Sequence, residues 1–324
     1  MITFFTDGGG SIGLGHIYRS ITLAKNFKKQ NIQFLVPKKY YNEKKLIDII
    51  FKKNALKVNY INSNNIKMIF NIYTSELIIF DVPKLKLSIM NIAKKYFNKT
   101  VIIDDENNLK YYDSDIIINQ NSYANKLKYN FKNKNITKLF GHKYTILKSN
   151  LNWNNNSKLN KKIKNIFLIF GGTDVRNYYT KFSKKLSNYN LHINVLNEII
   201  KKKLSKIKNK KNIKIHKNKK IGEIIKKNNI DLIISCCGSV LYEIFLYKVP
   251  IITVLCVGNQ KNAFDFYSKK KAIIKSNVNN IKKNIKDFSL KERVNLVKKA
   301  SRYSNIYGVK LIKQKLIKFS KNDT

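Results

Sequence analysis

Twice along this chain a short apolar run stops at a glycine-rich loop and a helix-like stretch begins. Ile2-Thr3-Phe4-Phe5-Thr6 leads into Asp7-Gly8-Gly9-Gly10-Ser11-Ile12-Gly13-Leu14-Gly15-His16 and then into a run from Ile17 to Lys29, with Ile17, Ile21, Leu23, Ala24 and Phe27 on or near one stripe. Ile166–Phe170 leads into Gly171-Gly172-Thr173-Asp174, and a helix is expected over Asn177 to Leu186. Strand, glycine loop, helix is the opening of a β-α-β unit. Glycines let the backbone take positive φ and let a ligand approach it closely. A loop that ends at a helix N-terminus offers free N–H groups and a favourable dipole to an anion. Gly13 and Gly15 belong to such a loop, His16 stands beside it, and Arg19 follows one turn later.

The alternation continues between these two starts. Strand-like runs at Ile32–Val36, Leu56–Tyr60, Leu77–Asp81, Val101–Asp104 and Ile116–Asn119 are separated by helix-length stretches such as Asn42–Lys53 and Lys86–Phe97. In the second half, Ile193–Leu196, Ile213–His216, Asp231–Ser235, Ile251–Leu255 and Ala272–Ile274 repeat the style. Residues 148–162 are polar and aperiodic, as a linker would be. The expected fold class is therefore α/β, with two doubly wound Rossmann-like domains: residues 1–150, and residues 163–324 including two basic amphipathic helices over Lys291 to Lys318. Gly8, Gly10 and Gly13 match G-x-G-x-x-G. The acidic residue that a dinucleotide site wants at the end of the second strand is missing, because Phe34-Leu35-Val36 runs into Pro37.

In open α/β sheets ligands bind outside the carboxyl ends of the strands. Asp81-Val82-Pro83, Asp104-Asp105-Glu106 and Asn119-Gln120-Asn121-Ser122-Tyr123 stand at such ends in the first half. They could line a sugar pocket; the bland reading is polar turn chemistry and helix N-caps, and for Asp104 and Asp105 the two weigh evenly. In the second half Ser235-Cys236-Cys237-Gly238-Ser239 opens a helix carrying Glu243. The loop N–H groups suit a diphosphate, and Glu243 suits two ribose hydroxyls. Val257-Gly258-Asn259-Gln260 follows the next strand and brings Asn259 to the same edge.

A formal net charge of +46 invites a nucleic-acid reading. Only four of the 65 basic residues are arginine, however: Arg19, Arg176, Arg293 and Arg302. The lysines are scattered along the whole chain, whereas bidentate base and phosphate contacts favour arginine. A nucleic-acid binder is kept as the outlying alternative, and no nucleic-acid partner is expected. The three cysteines, Cys236, Cys237 and Cys256, form no disulfide framework by count and read as small buried hydrophobes. No histidine lies at metal-ligand spacing from them, so no metal is expected. No apolar run approaches the ~20 residues of a membrane span and no basic n-region precedes the first strand. A cytoplasmic protein without stable membrane insertion is the expectation.

Two similar α/β domains around a cleft describe the GT-B architecture. The run Gly13-Leu14-Gly15-His16-Ile17-Tyr18-Arg19 resembles the G-x-G-H-x-x-R signature of the UDP-2,4-diacetamido-2,4,6-trideoxy-β-L-altropyranose hydrolases of pseudaminic acid synthesis and their spore-coat-polysaccharide relatives. The resemblance continues through Asp104-Asp105-Glu106, Asn121-Ser122-Tyr123-Ala124, Gly171-Gly172-Thr173-Asp174, Leu232-Ile233-Ile234-Ser235, Glu243 and Asn259-Gln260, over roughly residues 2 to 275. It implies a hydrolase that replaces UDP by water at the anomeric carbon, with inversion and without metal or cofactor. His16 would be the catalytic histidine and Asn259 its active-site partner. Glu243 and the loop Gly171-Gly172-Thr173 would hold the nucleotide, with Gly13, Gly15, Arg19, Ser235, Gly238, Ser239 and Gln260 as further substrate contacts. The family carries a histidine-tyrosine pair where this chain has Val82 and Pro83. Proline supplies neither hydroxyl nor N–H. Either Tyr18, Tyr111, Tyr112 or Tyr123 takes over, or the sugar differs. A GT-B glycosyltransferase shares the fold and the nucleotide site; release of UDP without any acceptor separates the two.

Overall fold

The computed structural model describes residues 1–9, 13–27, 30–38, 44–148, 151, 159–171, 174, 176–195, 198–205, 207, 211–217 and 219–321. They form two compact units, Met1–Ser149 with Asn305–Thr324, and Asn150–Ser304.

The first unit is a seven-stranded parallel sheet. Its strands are β1 (Ile2–Thr6), β2 (Ile32–Pro37), β3 (Val58–Ile61), β4 (Ser75–Asp81), β5 (Phe97–Ile103), β6 (Ile116–Asn119) and β7 (Thr137–Phe140), in spatial order β3-β2-β1-β4-β5-β6-β7. Helices α1 (Gly15–Ala24), α2 (Lys44–Lys53), α3 (Ile66–Ile72) and α4 (Leu87–Ala93) make the crossovers. Successive side chains alternate between two cores, as strand pleating requires. Phe4, Phe34, Leu77, Ile79, Val101 and Ile103 pack with α1 and α2 on one face. Phe5, Leu35, Ile78, Phe80 and Ile102 pack with α3 and α4 on the other. With both faces covered, β1 and β6 are buried at every residue.

The second unit repeats the plan in six parallel strands: β8 (Asn165–Ile169), β9 (Asn190–Val195), β10 (Ile213–Lys217), β11 (Leu232–Cys236), β12 (Ile251–Val254) and β13 (Ile274–Ser276), ordered β10-β9-β8-β11-β12-β13. Its helices are α5 (Tyr178–Lys185), α6 (Glu198–Ser205), α7 (Ile221–Lys227), α8 (Val240–Leu246), α9 (Lys261–Lys269), α10 (Ile281–Lys286) and α11 (Leu290–Ala300). Below the sheet, buried Asp231 accepts from Lys164 N and Asn165 N, both at 2.8 Å. Arg293, 1 % exposed, donates to the carbonyls of Asn160 and Lys161.

The structure refines the expected elements in three places. Strand β7 has no counterpart among the expected strands: four residues with a lysine among them carry too little alternation to stand out. The helix expected over Lys86–Phe97 stops early, because Phe97 to Thr100 already pair with β4 in strand β5. The last helix, α12 (Gly308–Lys321), belongs to the first unit and not to the second domain of the sequence reading. Val309, Ile312 and Leu316 recur at helical spacing and sink into the core beside α1 and α2. Among the described residues, no helix is long and apolar enough to cross a membrane.

Docking of α12 depends on Gly308. A Cβ there would lie 2.5 Å from Thr145 N and closer still to Thr145 O, and backbone cannot yield as a side chain does. Gly308→Ala is expected to cost about 1–3 kcal/mol, as overpacking does. At Gly258 a Cβ meets nothing within 4 Å, so Gly258→Ala should stay within about 0.5 kcal/mol. Urea denaturation of the two variants checks the contrast.

Candidate functional site

The strand order reverses between β1 and β4 in the first sheet and between β8 and β11 in the second. At such switch points the flanking loops part and leave a crevice at the strands' carboxyl ends. Both glycine loops of the sequence emerge there, after β1 and after β8.

In the first unit, Gly9 N donates to Gly13 O at 2.7 Å and Gly13 N to Gly9 O at 3.2 Å. Gly13 has φ +75°, a conformation that other residues adopt only at a cost. The pinch delivers the chain to α1, whose N-cap Leu14 makes no side-chain cap and whose first turn holds no acid. Gly15 lies exposed at this start.

His16, Arg19 and Ser20 fall at i, i+3 and i+4 of α1, hence on one face. That face meets Asp81, the last residue of β4 and completely buried. Arg19 grips the carboxylate with both ends of its fork, Nε to Oδ2 at 2.9 Å and Nη2 to Oδ1 at 2.6 Å. Ser20 Oγ donates to Oδ2 at 3.2 Å. His16 Nδ1 lies 2.7 Å from Oδ1. Burial by itself would raise the Asp81 carboxyl. Arg19, then His16, overrule it and hold the group well below the usual carboxylate range. Arg19 Nη2 also lies 3.2 Å from His16 Nδ1, but the carboxylate, which only accepts, is nearer at 2.7 Å, so Nδ1 carries the hydrogen and neutral His16 keeps Nε2 as an acceptor. Nε2 has no partner among the described residues, and the side chain is 20 % exposed.

The network runs on from Arg19. Its Nη1 donates to Asp105 Oδ2 at 2.6 Å, and Asp105 Oδ1 accepts from Asn121 Nδ2 at 3.1 Å. Asn121 Nδ2 also donates to Asn119 Oδ1, and Asn119 Nδ2 to Tyr129 Oη at 2.7 Å. Burial would lower the Arg19 guanidinium; Asp105 and Asp81 reverse this and lift it above its ordinary value. Arg19 thus takes a different place from the substrate contact expected of it. At 6 % exposure its charge has to be matched from within the fold, and two carboxylates do so.

The two neighbouring aspartates separate. Asp104 is a turn residue: Oδ1 accepts from Glu106 N and Asn107 N, and Oδ2 from Tyr112 Oη. Asp105 is part of the network. Of the tyrosines that would replace the family's pair, Tyr112 is buried on Asp104 and Tyr123 is buried. Tyr111 Oη accepts from Asn91 at 3.2 Å. Tyr18, two residues from His16 on α1, faces away from Asp81 and packs against the core of the first unit.

In the second unit three loops meet at the carboxyl edge. Gly171 (φ +79°) opens the first, with Gly172 and Thr173 outside the described residues. Arg176 Nε donates to Cys256 O at 2.6 Å and Tyr178 Oη to Leu255 O at 3.0 Å, tying that loop to the one after β12. Gln260 Oε1 accepts from Cys256 N at 3.4 Å, and its Nε2 lies 3.5 Å from where a Cβ on Gly238 would sit. Ser239 and Asn259 are exposed at the loop tips. Ser235 is the exception among the expected contacts. It is fully buried, and its Oγ donates to Ile169 O at 2.9 Å, pinning β11 to β8. Glu243, half-buried in α8, accepts from Tyr247 Oη at 3.4 Å.

The cysteines need a correction. Cys236 ends β11 and Cys256 follows β12 by two residues; their Cα atoms are 5.8 Å apart, and they are joined as a disulfide. Residue spacing alone hides this pairing, because the parallel crossover between β11 and β12 creates it. Cys237 is free and buried, and burial pushes its thiol up to about 12. The other histidines stand apart from these edges or are engaged. His192 and His216 stack on β9 and β10, and burial, then His216 and Lys214, press His192 down to about 4. His142 pairs with Ser122 at 3.1 Å.

No protein-family model matches the chain. An uncharacterized protein of Methanocaldococcus jannaschii is 29% identical over 87% of this chain, which spans only 60% of that protein's length. The UDP-2,4-diacetamido-2,4,6-trideoxy-β-L-altropyranose hydrolase of Campylobacter jejuni is 26% identical, over 83% of this chain and 96% of that enzyme. Among solved structures, Acinetobacter baumannii MurG superposes with a TM-score of 0.64 at 12% identity, over 98% of this chain and 99% of that one. The chain has the GT-B fold. Neisseria meningitidis UDP-GlcNAc 2-epimerase bound to UDP-GlcNAc aligns at 0.60 and 11%, over 98% and 100% of the two chains. At these identities the structural matches establish the GT-B fold and leave the chemistry to the residues.

Removing Asp81 leaves the Arg19 charge buried with half its partners. Asp81→Ala should lose about 3–5 kcal/mol. Asp81 is depressed in the folded state, so its contribution is complete above the ordinary value of 3.8 and is lost as pH falls below it. Denaturant titrations at pH 7, 5 and 3.5 should show the gap between wild type and variant constant over the first two and narrowing at the last.

Proposed function

We propose that this chain is a nucleotide-sugar hydrolase that releases UDP from a UDP-linked amino sugar by attack of water at the anomeric carbon. One observation carries the reading: His16 has Nδ1 held by a buried carboxylate and Nε2 unpartnered, beside the uncapped start of α1. The Campylobacter hydrolase similarity and the UDP-GlcNAc complex of the GT-B epimerase support UDP-sugar as the substrate class.

The chemistry follows from the groups. Water gives its proton to His16 Nε2 as its oxygen bonds to the anomeric carbon. The carbon–oxygen bond to UDP breaks, and UDP departs with the electron pair. Asp81 stabilises the imidazolium that forms, and Arg19 and Ser20 keep Asp81 ionised and in place. A UDP leaving group already carries charge, so it asks for N–H donors more than for an acid. Gly13 and Gly15 keep the start of α1 open to the substrate. In the second unit we assign the diphosphate to Gly171, Gly172, Thr173, Gly238 and Ser239, the ribose hydroxyls to Glu243, and the sugar end to Asn259 and Gln260. Ser235 contributes by holding its loop. Val82 and Pro83 replace the histidine-tyrosine pair of the altropyranose hydrolases, so we assign a related UDP-amino or UDP-diamino sugar as the preferred substrate.

A GT-B transferase is the competing reading; UDP release in plain buffer without acceptor is the expected outcome, and release only with an acceptor would favour the transferase. General-base catalysis is worth roughly 10²–10⁴ in rate, so His16→Asn should lose about that much while UDP still binds. Hydrolysis in ¹⁸O water should label the sugar, read by mass spectrometry before the anomeric hydroxyl exchanges. Label in UDP would mean attack at phosphorus and would overturn the mechanism.

A further inference from the structure

The chain keeps four arginines among 65 basic residues, and the structure gives two of them unambiguous duties. Arg19 is buried on two carboxylates, and Arg293 is buried on two carbonyls. Arg176 is different. It is exposed, yet its Nε is fixed to Cys256 O at 2.6 Å. Neither of its Nη nitrogens has a partner among the described residues. A guanidinium anchored through Nε and open at both Nη atoms is a fork ready for two oxygens of one planar or tetrahedral anion.

Its surroundings say which anion. Arg176 sits in the loop between β8 and α5, at the switch point of the second sheet. The start of α5 is already taken: Asp174 accepts from Tyr178 N at 2.7 Å and Tyr179 N at 3.1 Å. The backbone of that helix start therefore has little left to offer a phosphate, and a side chain has to supply the positive charge. The loop is built to hold one still. Asp174 (φ 42°) and Asn177 (φ 53°) flank Arg176 in left-handed conformations, and Tyr178 Oη staples the same loop to Leu255 O. A mobile surface arginine needs none of this.

We propose that Arg176 is a phosphate-binding residue of the second unit, closing its two Nη groups on the diphosphate of the nucleotide. The inference rests on the nucleotide-sugar reading above and adds to it a side chain that neither the motifs nor the resemblance singled out. Cys256 is its positioning residue: the carbonyl holds Nε, and the disulfide to Cys236 holds Cys256.

Calorimetry with UDP and inorganic pyrophosphate, and NMR titration with uridine, test it on wild type, Arg176→Ala and Arg176→Lys. Two charge-assisted bonds lost should weaken UDP and pyrophosphate about 10- to 100-fold in Arg176→Ala. Uridine affinity should not change, and Arg176→Lys should recover only part of the loss, since a lysine cannot fork. Unchanged UDP affinity in Arg176→Ala overturns the proposal, and so does an equal loss for uridine, which would mark a structural role. Wild type that ignores UDP but binds pyrophosphate through Arg176 would overturn the nucleotide reading and keep the anion site. Wild type that binds neither would overturn both.

Discussion

The site in the first unit depends on one buried ion pair. Asp81 ends β4 with no exposure to water, and only a full set of donors makes a carboxylate tolerable there. Arg19 supplies two, Ser20 one and His16 one, all from a single face of α1. The pair therefore fixes the rotation of α1 against the sheet, and with it the His16 ring. The opposite face of the helix, Ile17, Ile21 and Ala24, is fixed by the core. A histidine at a helix start is otherwise free to turn; here its tautomer and its direction are set by the same contact that satisfies the acid.

The second unit solves a related problem with looser means. Its carboxyl edge has no buried ion pair among the described residues, and loops do the work. They are tied by a disulfide, two backbone carbonyls and a glutamine. The difference suits the division of labour we propose. A general base needs one nitrogen held to a fraction of an ångström. A nucleotide is recognised by many contacts, each tolerant of small movements.

Much of this was legible in the sequence. The β-α-β alternation, the two glycine loops, β1 and β6 to the residue, and His16 beside an anion-friendly helix start all follow from local pattern. What stayed hidden is what only topology creates. Asp81 lies 65 residues from His16 and meets it because β4, not β2, is the neighbour across the switch point. His16 and Arg19 stand one turn apart in the sequence, and nothing local says which acid they face. The same cause explains the disulfide of Cys236 and Cys256 and the inward turn of Ser235. Arg19 read as a substrate contact because sequence does not report burial. Helix α12 is legible as amphipathic, but the surface it docks on is a long-range fact: Val309, Ile312 and Leu316 meet the core of the first unit, and Gly308 lies against Thr145.

The central claim is that Asp81 holds the hydrogen on His16 Nδ1 and leaves Nε2 to take a proton. Nitrogen-15 NMR of protein labelled at histidine, with His16→Asn as the assignment control, reads the tautomer directly at neutral pH. The account requires a protonated Nδ1 and an unprotonated Nε2 for neutral His16, and in Asp81→Asn a shift of the population toward the other tautomer. A proton resident on Nε2 in the wild type would contradict it, because that nitrogen would then have no lone pair to offer water.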